Sequence, residues 1–267
     1  MTRELTESEI GRYARHIVLA EIGGIGQAKL LESKVLVVGA GGLGSPLVLY
    51  LAAAGIGTIG VVDDDVVSIS NLQRQILHTT DRVGMPKVAS AIETVRAIDP
   101  AIRIVPHQMR LSAENVRGLI DQYDLVADGT DNFATRFLLN DACFFARKTL
   151  VSGAALRFDG QLSTYKAHLG QPHPCYRCIF REAPPDDHAV TCATGGVLGA
   201  LVGTIGSLQA TEVVKELLGV GDSMSGHLLI YDGLATRFRK IKVKPDADCP
   251  LCGAQPTIRD LSVHAAA

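Results

Sequence analysis

Residues 34–65 read KVLVVGAGGLGSPLVLYLAAAGIGTIGVVDDD, and this stretch decides the fold. The run of valine and leucine at residues 35–38 predicts a strand, and the glycines of residues 39–44 predict a tight turn. The apolar residues 47–54 have the length of a helix, and residues 58–62 predict a second strand. Continuous apolar strands joined by a helix are typical of a parallel sheet buried on both faces. The stretch therefore predicts a Rossmann-like α/β fold.

Working outward, alternation of strands and helices continues to about residue 155. Pro86 suits the start of a helix, and the helical repeat should stop at Asp99, before Pro100. Ser112 can cap a further helix. The predicted elements are a helix over 86–99, a strand over 102–105, a helix over 112–123, a strand over 125–127, a helix over 132–146 and a strand over 150–152.

Beyond residue 158 the pattern changes. Residues 161–168 and 228–243 are long strand candidates with alternating stretches, and no strand–helix spacing separates them, which predicts antiparallel pairing. A long helix is predicted over 196–218, with glycines that permit close packing. Residues 183–188, rich in proline and aspartate, are expected to form a mobile loop. From about residue 255 a frayed tail is expected.

Composition and charge exclude several classes of protein. The chain has 267 residues, 47% of them apolar, and a formal net charge of −2, so a continuous core is possible and no general attraction to nucleic acid or to a membrane is expected. The first residues are polar and acidic and do not resemble a signal peptide. We therefore expect a cytoplasmic protein with no nucleic-acid or membrane partner.

The glycine turn predicts a nucleotide site. Gly39, Gly41, Gly42 and Gly44 fit G-x-G-x-x-G between a strand and a helix, and Asp63 ends the next strand, where it can hold ribose hydroxyls. This pattern alone also suits an NAD-dependent oxidoreductase. Two downstream cations, Arg74 and Lys87, favour a triphosphate, although a solvated helix start would also explain Lys87.

Asp131 is a candidate magnesium ligand. It follows a predicted strand and precedes a helix, at the edge where open α/β sheets bind ligands. A helix cap is an equally good interpretation of this residue and does not exclude metal binding. Asp131 and Lys87 are both expected to serve a ligand rather than the core.

Four of the six cysteines form two C-x-x-C pairs. They are Cys175, Cys178, Cys249 and Cys252. In a reducing compartment this pattern favours a structural four-thiolate zinc site over disulfides, with a redox pair or four reduced buried thiols as the alternatives.

Two further cysteines differ in kind. Cys143 lies in an apolar helix and is expected to pack in the core. Cys192 precedes a glycine pair at a helix start, where a thiol can become nucleophilic, although a lone cysteine is more often inert.

Taken in order, these motifs resemble the bacterial MoeB/ThiF family, which is related to ubiquitin-activating enzymes. The similarity extends over about residues 5–253. It is carried by RYARHIVL, VGAGGLGS, DDDVVSISNLQRQ, GMPKV, DGTDN, VSGAALRFDGQ, CYRC, TCATGGV and CPLCG.

The resemblance implies ATP-dependent adenylation of the C-terminal Gly-Gly carboxylate of a small ubiquitin-like sulfur carrier, similar to MoaD or ThiS. It implies a homodimer in which Arg15 reaches the neighbouring ATP site, Asp131 binds magnesium and the paired cysteines bind zinc. In ThiF-like members the cysteine matching Cys192 can join in sulfur transfer. The ATP site would be formed by the four turn glycines, Asp63, Asp65, Asn71, Arg74, Gln75, Lys87 and Asp131.

The resemblance also predicts the organisation of the chain. One domain is expected over 1–253, and the organisation is a helical arm over 1–30, a nucleotide-binding part over 34–155, a carrier-binding and zinc part over 156–253 and a flexible tail over 254–267. No rhodanese-like segment follows Cys252, so a separate sulfurtransferase is expected as sulfur donor. The motifs leave open whether the pathway leads to molybdopterin, thiamine or another sulfur-containing product, and a catalytically inactive carrier-binding subunit remains an alternative.

Overall fold

The computed structural model describes residues 3–183 and 192–265, except for the side chains of residues 192 and 193. An eight-stranded sheet with the order β3-β2-β1-β4-β5-β6-β7-β8 forms the centre. Its strands are β1 Lys34–Val38, β2 Thr58–Val62, β3 Arg103–His107, β4 Leu125–Asp128, β5 Thr149–Leu156, β6 Asp159–Tyr165, β7 His227–Asp232 and β8 Arg237–Lys242.

Strands β1 to β5 are parallel, as the sequence predicts. Val38, the last residue of β1, pairs with Val62 on one side and with Asp128 on the other. The loops that follow these three strands therefore begin at one edge of the sheet. This is the carboxyl edge, where ligands bind in open α/β folds.

The remaining strands are antiparallel. Strand β5 pairs parallel with β4 and antiparallel with β6, so it joins the two halves of one mixed sheet. The long strand candidate over 228–243 is two strands, β7 and β8, which pair as a hairpin because Gly233 and the positive φ of Thr236 lie between them. The predicted Rossmann-like half continuing into an antiparallel sheet is confirmed.

Helices cover both faces of the parallel strands. Val35 and Val37 of β1 pack in one apolar cluster with the helices over residues 44–53, 87–98 and 199–218, and Leu36 and Val38 pack in another with the helices over residues 116–120 and 133–146. This alternation follows from the two-residue repeat of a strand. The helices are α1 Glu7–Arg12, α2 Ala14–Ile17, α3 Gly23–Glu32, α4 Gly44–Ala53, α5 Lys87–Ile98, α6 Val116–Ile120, α7 Phe133–Ala146, α8 Cys192–Gly195 and α9 Gly199–Leu218.

Two helix starts differ from the sequence prediction. Helix α6 begins at Val116 rather than at Ser112, because the Asn115 side chain accepts a hydrogen bond from the Ser112 backbone N–H and holds a turn there. Helix α9 begins at Gly199, after the short α8. Close packing occurs at Gly206, where a Cβ would lie 2.5 Å from the Leu43 carbonyl oxygen. No helix within the described ranges has the length and apolar character needed to cross a bilayer.

The C-terminal segment, expected to fray, instead contacts α7. Residues Leu261–His264 form a 3-10 turn, and Leu261 packs against the second apolar cluster. The His264 ring Nε2 lies 2.7 Å from the buried carboxylate of Asp141, which also receives a bidentate ion pair from Arg177. The predicted mobile loop over 183–188 lies outside the described residues apart from Ala183.

Candidate active site

A cleft of about 670 Å³ lies at the carboxyl edge of β1, β2 and β4. Most of the residues expected to bind nucleotide line it, although they come from five separate stretches of the chain. They are Gly39, Gly41, Gly42, Asp63, Asp65, Asn71, Arg74, Gln75, Lys87 and Asp131. Neither Gly44 nor Arg15 is among its lining residues.

The glycine turn is packed so tightly that side chains are excluded. Gly39 has φ +91°, and a Cβ there would lie 2.9 Å from the carbonyl oxygen of Gly129 in the loop after β4. Gly44 packs directly against the Gly39 carbonyl, so it shapes the turn and starts α4 without lining the cleft. The backbone of the turn consequently forms part of the cleft wall, as a phosphate-binding loop requires.

Asp63 is fixed at the end of β2 by backbone donors. Its carboxylate accepts hydrogen bonds from the N–H groups of Ala40, at 2.8 Å, and Asp65, at 2.9 Å. Burial raises the pKa of Asp63 above its ordinary value, and the ammonium of Lys87, 3.8 Å away, opposes this rise. Asp63 thus ties the second strand to the glycine turn while lining the cleft.

Lys87 is more buried than a purely ligand-serving cation would be. Its side chain is 5% exposed, and Nζ lies 2.8 Å from the carboxylate of the exposed Asp65. The expectation that Lys87 serves a ligand rather than the core therefore needs correction. Because Lys87 also faces the buried Asp63, it compensates charge inside the protein as well as at the cleft surface.

The segment after β2 brings Asn71, Arg74 and Gln75 to the cleft. A 3-10 turn over Ile69–Asn71 leads into them, and the Asn71 carbonyl oxygen accepts hydrogen bonds from the N–H groups of Arg74 and Gln75. Gln75 is 4% exposed, and its Oε1 accepts no hydrogen bond from the described residues. A buried acceptor without a partner is costly, so a donor from a bound molecule would stabilise it.

Asp131 is exposed at the rim of the cleft. The cap of α7 is Asn132, whose side chain accepts a hydrogen bond from the N–H of Thr135 at 2.9 Å, so the interpretation of Asp131 as the helix cap is wrong. Among the described residues, the Asp131 carboxylate has no hydrogen-bond or ion-pair partner. Asp131 lines the cleft, so no structural partner in residues 3–183 and 192–265 competes with a ligand for its carboxylate.

A buried network beneath Asp131 was missed at the sequence level. Asp128, fully buried at the end of β4, forms a 3.2 Å ion pair with Arg136 and accepts hydrogen bonds from Thr130 and Ser152. Arg136 also donates to the carbonyl oxygens of Thr130 and Gly153. The network fixes the loop that carries Asp131. One signal was present, because an arginine one turn into α7 can reach back to the end of the preceding strand.

Two further cations, which the sequence motifs do not indicate, also line the cleft. Arg110 follows β3, and Arg157 lies between β5 and β6. Arg157 has φ +54°, which is uncommon for a residue with a side chain, and its backbone bonds to Gly196 and Leu198 hold it there. A non-glycine residue kept in this conformation next to a cleft is itself a signal of function.

The four paired cysteines converge on one point. Their sulfur atoms all lie within 4.8 Å of one another, and four of the pairs are separated by 3.4 to 3.8 Å. A tetrahedron with metal–sulfur bonds of about 2.3 Å has sulfur atoms about 3.8 Å apart, whereas a disulfide bond is about 2 Å long. The geometry fits a zinc site. In addition, the backbone N–H of Asp246 donates to the Cys178 sulfur at 3.4 Å.

The comparison with protein families decides the identity. A model of the ThiF family matches residues 13–251. The chain belongs to the ThiF family. The resemblance found in the sequence is thereby confirmed.

Relatives of this ThiF-family chain include an adenylyltransferase and sulfurtransferase MOCS3 from Aedes aegypti, 49% identical over 97% of this chain and 59% of the relative. The sulfur carrier protein adenylyltransferase of Thermus thermophilus is 46% identical over 96% of this chain and 95% of the relative. The chain thus spans about three-fifths of the mosquito protein and nearly all of the bacterial one. A crystal structure of Escherichia coli MccB with ATP has a TM-score of 0.78 at 18% identity, covering 94% of this chain and 75% of that chain, and supports the fold.

Arg15, a predicted site residue of this ThiF-family chain, does not line the cleft. Arg15 is exposed on α2, while the neighbouring Tyr13 is buried and donates a 2.8 Å hydrogen bond to Asp99 at the end of α5. The arm is therefore anchored to its own subunit at Tyr13. Cys192 begins α8, but its side chain lies outside the described part of the chain. Cys143 is buried in the second apolar cluster, as predicted, and burial raises the pKa of its thiol.

Proposed function

We propose that this ThiF-family chain adenylates the C-terminal Gly-Gly carboxylate of a small ubiquitin-like sulfur-carrier protein with ATP, releasing pyrophosphate. The observation that carries the proposal is the cleft, where a glycine turn, buried and half-buried cations and the rim carboxylate of Asp131 meet at one sheet edge. The name of the Thermus thermophilus relative, a sulfur carrier protein adenylyltransferase, supports the same reaction.

ATP fits the residues of the cleft. The turn glycines would hold phosphates through their N–H groups, and Asp63 retains lone pairs on its carboxylate with which to accept ribose hydroxyls. Gln75 lies beside Gly41 through its Nε2, and a donor on the nucleotide would satisfy its buried Oε1. Arg74 and Lys87 would face the triphosphate together with Asn71 and Asp65.

Charge neutralisation is the main task of these residues. A carboxylate must approach the α-phosphorus of ATP, and at about 4 Å with an effective dielectric of about 20 the repulsion between two unit charges is about 4 kcal/mol. Arg74 and Lys87 offset this repulsion from the cleft wall. A magnesium ion bound at Asp131 would supply further positive charge at the phosphates. The exposed carboxylate of Asp131 suits this ion because hard oxygen ligands are those that magnesium prefers.

The reaction requires no general base, because the carrier carboxylate is already ionised at neutral pH. Positioning and electrostatic stabilisation are sufficient, as in other phosphoryl and nucleotidyl transfers. A Gly-Gly tail is narrow enough to enter the cleft beside the aromatic side chains of Phe133, Tyr176 and Phe180.

Zinc held by the four paired cysteines would act structurally. A closed four-thiolate site has no open position for substrate. It would nevertheless shape the cleft, because the turn between Cys175 and Cys178 carries Tyr176, which is buried and lines the cleft wall. Tyr176 packs edge-on against Phe137 with ring centroids 5.0 Å apart, which fixes its position.

The remaining parts of the proposal concern partners. A homodimer would bring Arg15 to the ATP site of the other subunit, which agrees with its exposure and with its absence from the lining of the cleft of its own chain. Cys192 would act only after the acyl-adenylate has formed, together with a separate sulfurtransferase. The pathway would be cytoplasmic synthesis of molybdopterin or thiamine.

The test is carrier-dependent ATP–pyrophosphate exchange, measured with a panel of small proteins that end in Gly-Gly. Exchange with a panel member, and none when its last glycine is deleted, is expected. Thermal-shift titrations that compare stabilisation by ATP and magnesium with stabilisation by NAD distinguish the adenylyltransferase from the oxidoreductase alternative. Binding of ATP and carrier without exchange would identify an inactive subunit, and stabilisation by NAD alone would overturn the proposal.

A further inference from the structure

His78 is a buried histidine to which the proposed reaction gives no role. It is 5% exposed and does not line the cleft. Both of its ring nitrogens have partners: Nε2 lies 2.8 Å from the carbonyl oxygen of Ala40 in the glycine turn, and Nδ1 lies 2.9 Å from the hydroxyl of Ser90 on α5. The side chain therefore connects the glycine turn to the helix that begins with Lys87.

These contacts determine the state of the ring. A carbonyl oxygen can only accept, so Nε2 carries a proton and donates to Ala40. Burial lowers the pKa of His78, and the positive charges of Lys87 and Arg82 lower it further, while Asp63 and the Ala40 contact act in the opposite direction. The net effect favours the neutral ring, in which Nδ1 accepts a hydrogen bond from Ser90.

A second path leads from Ala40 back to the same helix. The Ala40 N–H donates to Asp63 at 2.8 Å, and Asp63 faces the Lys87 ammonium at 3.8 Å. Lys87 and Ser90 lie one turn apart on α5. The backbone of Ala40 is consequently held on both sides of its Cα, at the N–H and at the C=O, by two paths that both end on α5.

From this closed arrangement, and resting on the proposed function, we infer that His78 is a positioning residue for ATP. It sets the distance between the two phosphate-binding elements, the backbone of Gly41 and Gly42 and the ammonium of Lys87. Ala40 and Ser90 are fully buried, so water cannot replace the lost partner when the ring is removed.

The variants His78→Leu, His78→Gln and Ser90→Ala test this inference. His78→Leu removes the donor to Ala40, and we expect the KM for ATP and the Kd for ATP to rise roughly tenfold, the factor for one lost buried hydrogen bond. The KM for the carrier should stay within about twofold of wild type, because the carrier binds elsewhere in the cleft. His78→Gln can restore a donor near Nε2 and should recover most of the affinity for ATP.

His107→Leu is the matched control. Its ring lies 2.7 Å from the Tyr123 hydroxyl, and within the described part of the chain it forms no hydrogen bond with the glycine turn, so this variant loses a histidine hydrogen bond but keeps the one at Ala40. An ATP affinity of His78→Leu equal to wild type, or a loss equal to that of His107→Leu, would overturn the inference. If His78→Leu does not fold, Ser90→Ala serves as the test instead. The Kd for ATP of Ser90→Ala should rise about threefold, and an unchanged Kd overturns the inference.

The two proposals fail in different ways. Absence of exchange in the wild-type chain with every carrier would contradict the proposed function. Direct ATP binding, measured by thermal shift, still compares wild type with the His78 variants in that case. Unchanged binding in those variants, with normal exchange in wild type, would contradict the positioning role alone.

Discussion

Replacing Lys87 by methionine should lower stability as well as activity, in contrast to a cation that serves only a ligand. The change keeps the length of the side chain but removes an ammonium 3.8 Å from the buried carboxylate of Asp63 and 2.8 Å from that of Asp65. At an effective dielectric of about 20 the first attraction is about 4 kcal/mol, and removing the lysine also removes its own cost of burial. Loss of the ion pair with the exposed Asp65 adds about 0–1 kcal/mol to this destabilisation. We therefore expect a loss of about 2 kcal/mol in the free energy of unfolding.

The pH dependence identifies the cause of this loss. Burial raises the pKa of Asp63 in the folded state above its value in the unfolded chain. Between these two pKa values the stability of the folded state falls as the pH rises, because Asp63 loses its proton at a lower pH in the unfolded chain. Lys87 offsets this effect in wild type and the methionine does not. The deficit of Lys87→Met should therefore be complete above the folded pKa of Asp63 and should shrink as the pH falls through it.

Urea unfolding of the ligand-free protein at about pH 7 and about pH 5 measures the deficit. Asp65→Asn is the control, because it removes the shorter ion pair at a carboxylate whose side chain is 69% exposed and should cost less than about 1 kcal/mol. If Lys87→Met has the stability of wild type at about pH 7, or if its deficit grows as the pH falls, the reasoning about Asp63 is refuted.

Four other predictions follow from the site. Asp131→Asn should abolish pyrophosphate exchange while changing the free energy of unfolding by less than about 0.5 kcal/mol, because the exposed carboxylate has no partner within the described residues; a large loss of stability would show a structural role. Metal analysis should find zinc at one atom per chain, and Cys249→Ser should lose it and lower the melting temperature; zinc-free native protein would exclude the site. Arg15→Ala and Asp131→Ala chains should each be inactive, and a mixture in which the two variants trade subunits should regain part of the ATP–pyrophosphate exchange activity. A mixture whose subunits have fully redistributed but that stays inactive would exclude action of Arg15 across the interface. Cys192→Ala should retain pyrophosphate exchange, since its thiol would act only after adenylation, and loss of exchange would contradict this order.

Local patterns were sufficient to predict the parallel half of the sheet. The segment β1–α4–β2 follows from apolar runs and glycines that are close in the sequence, and each prediction depends on the two-residue or 3.6-residue repeat. The start of α6 was not predictable in this way. Both Ser112 and Asn115 are good capping residues, and only the folded chain decides that Asn115 bonds back to Ser112.

The residues of the candidate site likewise differ in whether the sequence can predict them. Residues whose chemistry is visible in a short motif, such as Asp63 or Asp131, could be named from the sequence. His78 could not, because its role depends on Ala40, which is 38 residues away, and buried polar contacts between distant residues have no sequence period. Asp128 and Arg136 are closer in the sequence. Their ion pair is nevertheless visible only when the end of β4 lies beside the first turn of α7, because otherwise Arg136 resembles any other helical cation.

The 3-10 turn at residues 261–264 affects where this chain can be shortened. The ThiF family match ends at residue 251, so a chain cut at residue 253 would keep every residue that the family match covers. Such a cut would nevertheless remove His264 from the buried Asp141, whose remaining partners are Arg177 and Asn140. Arg177 lies between Cys175 and Cys178, so we expect the shortened chain to hold the turn that carries these two cysteines less firmly. A purification tag is accordingly better attached at the N-terminus than close behind His264.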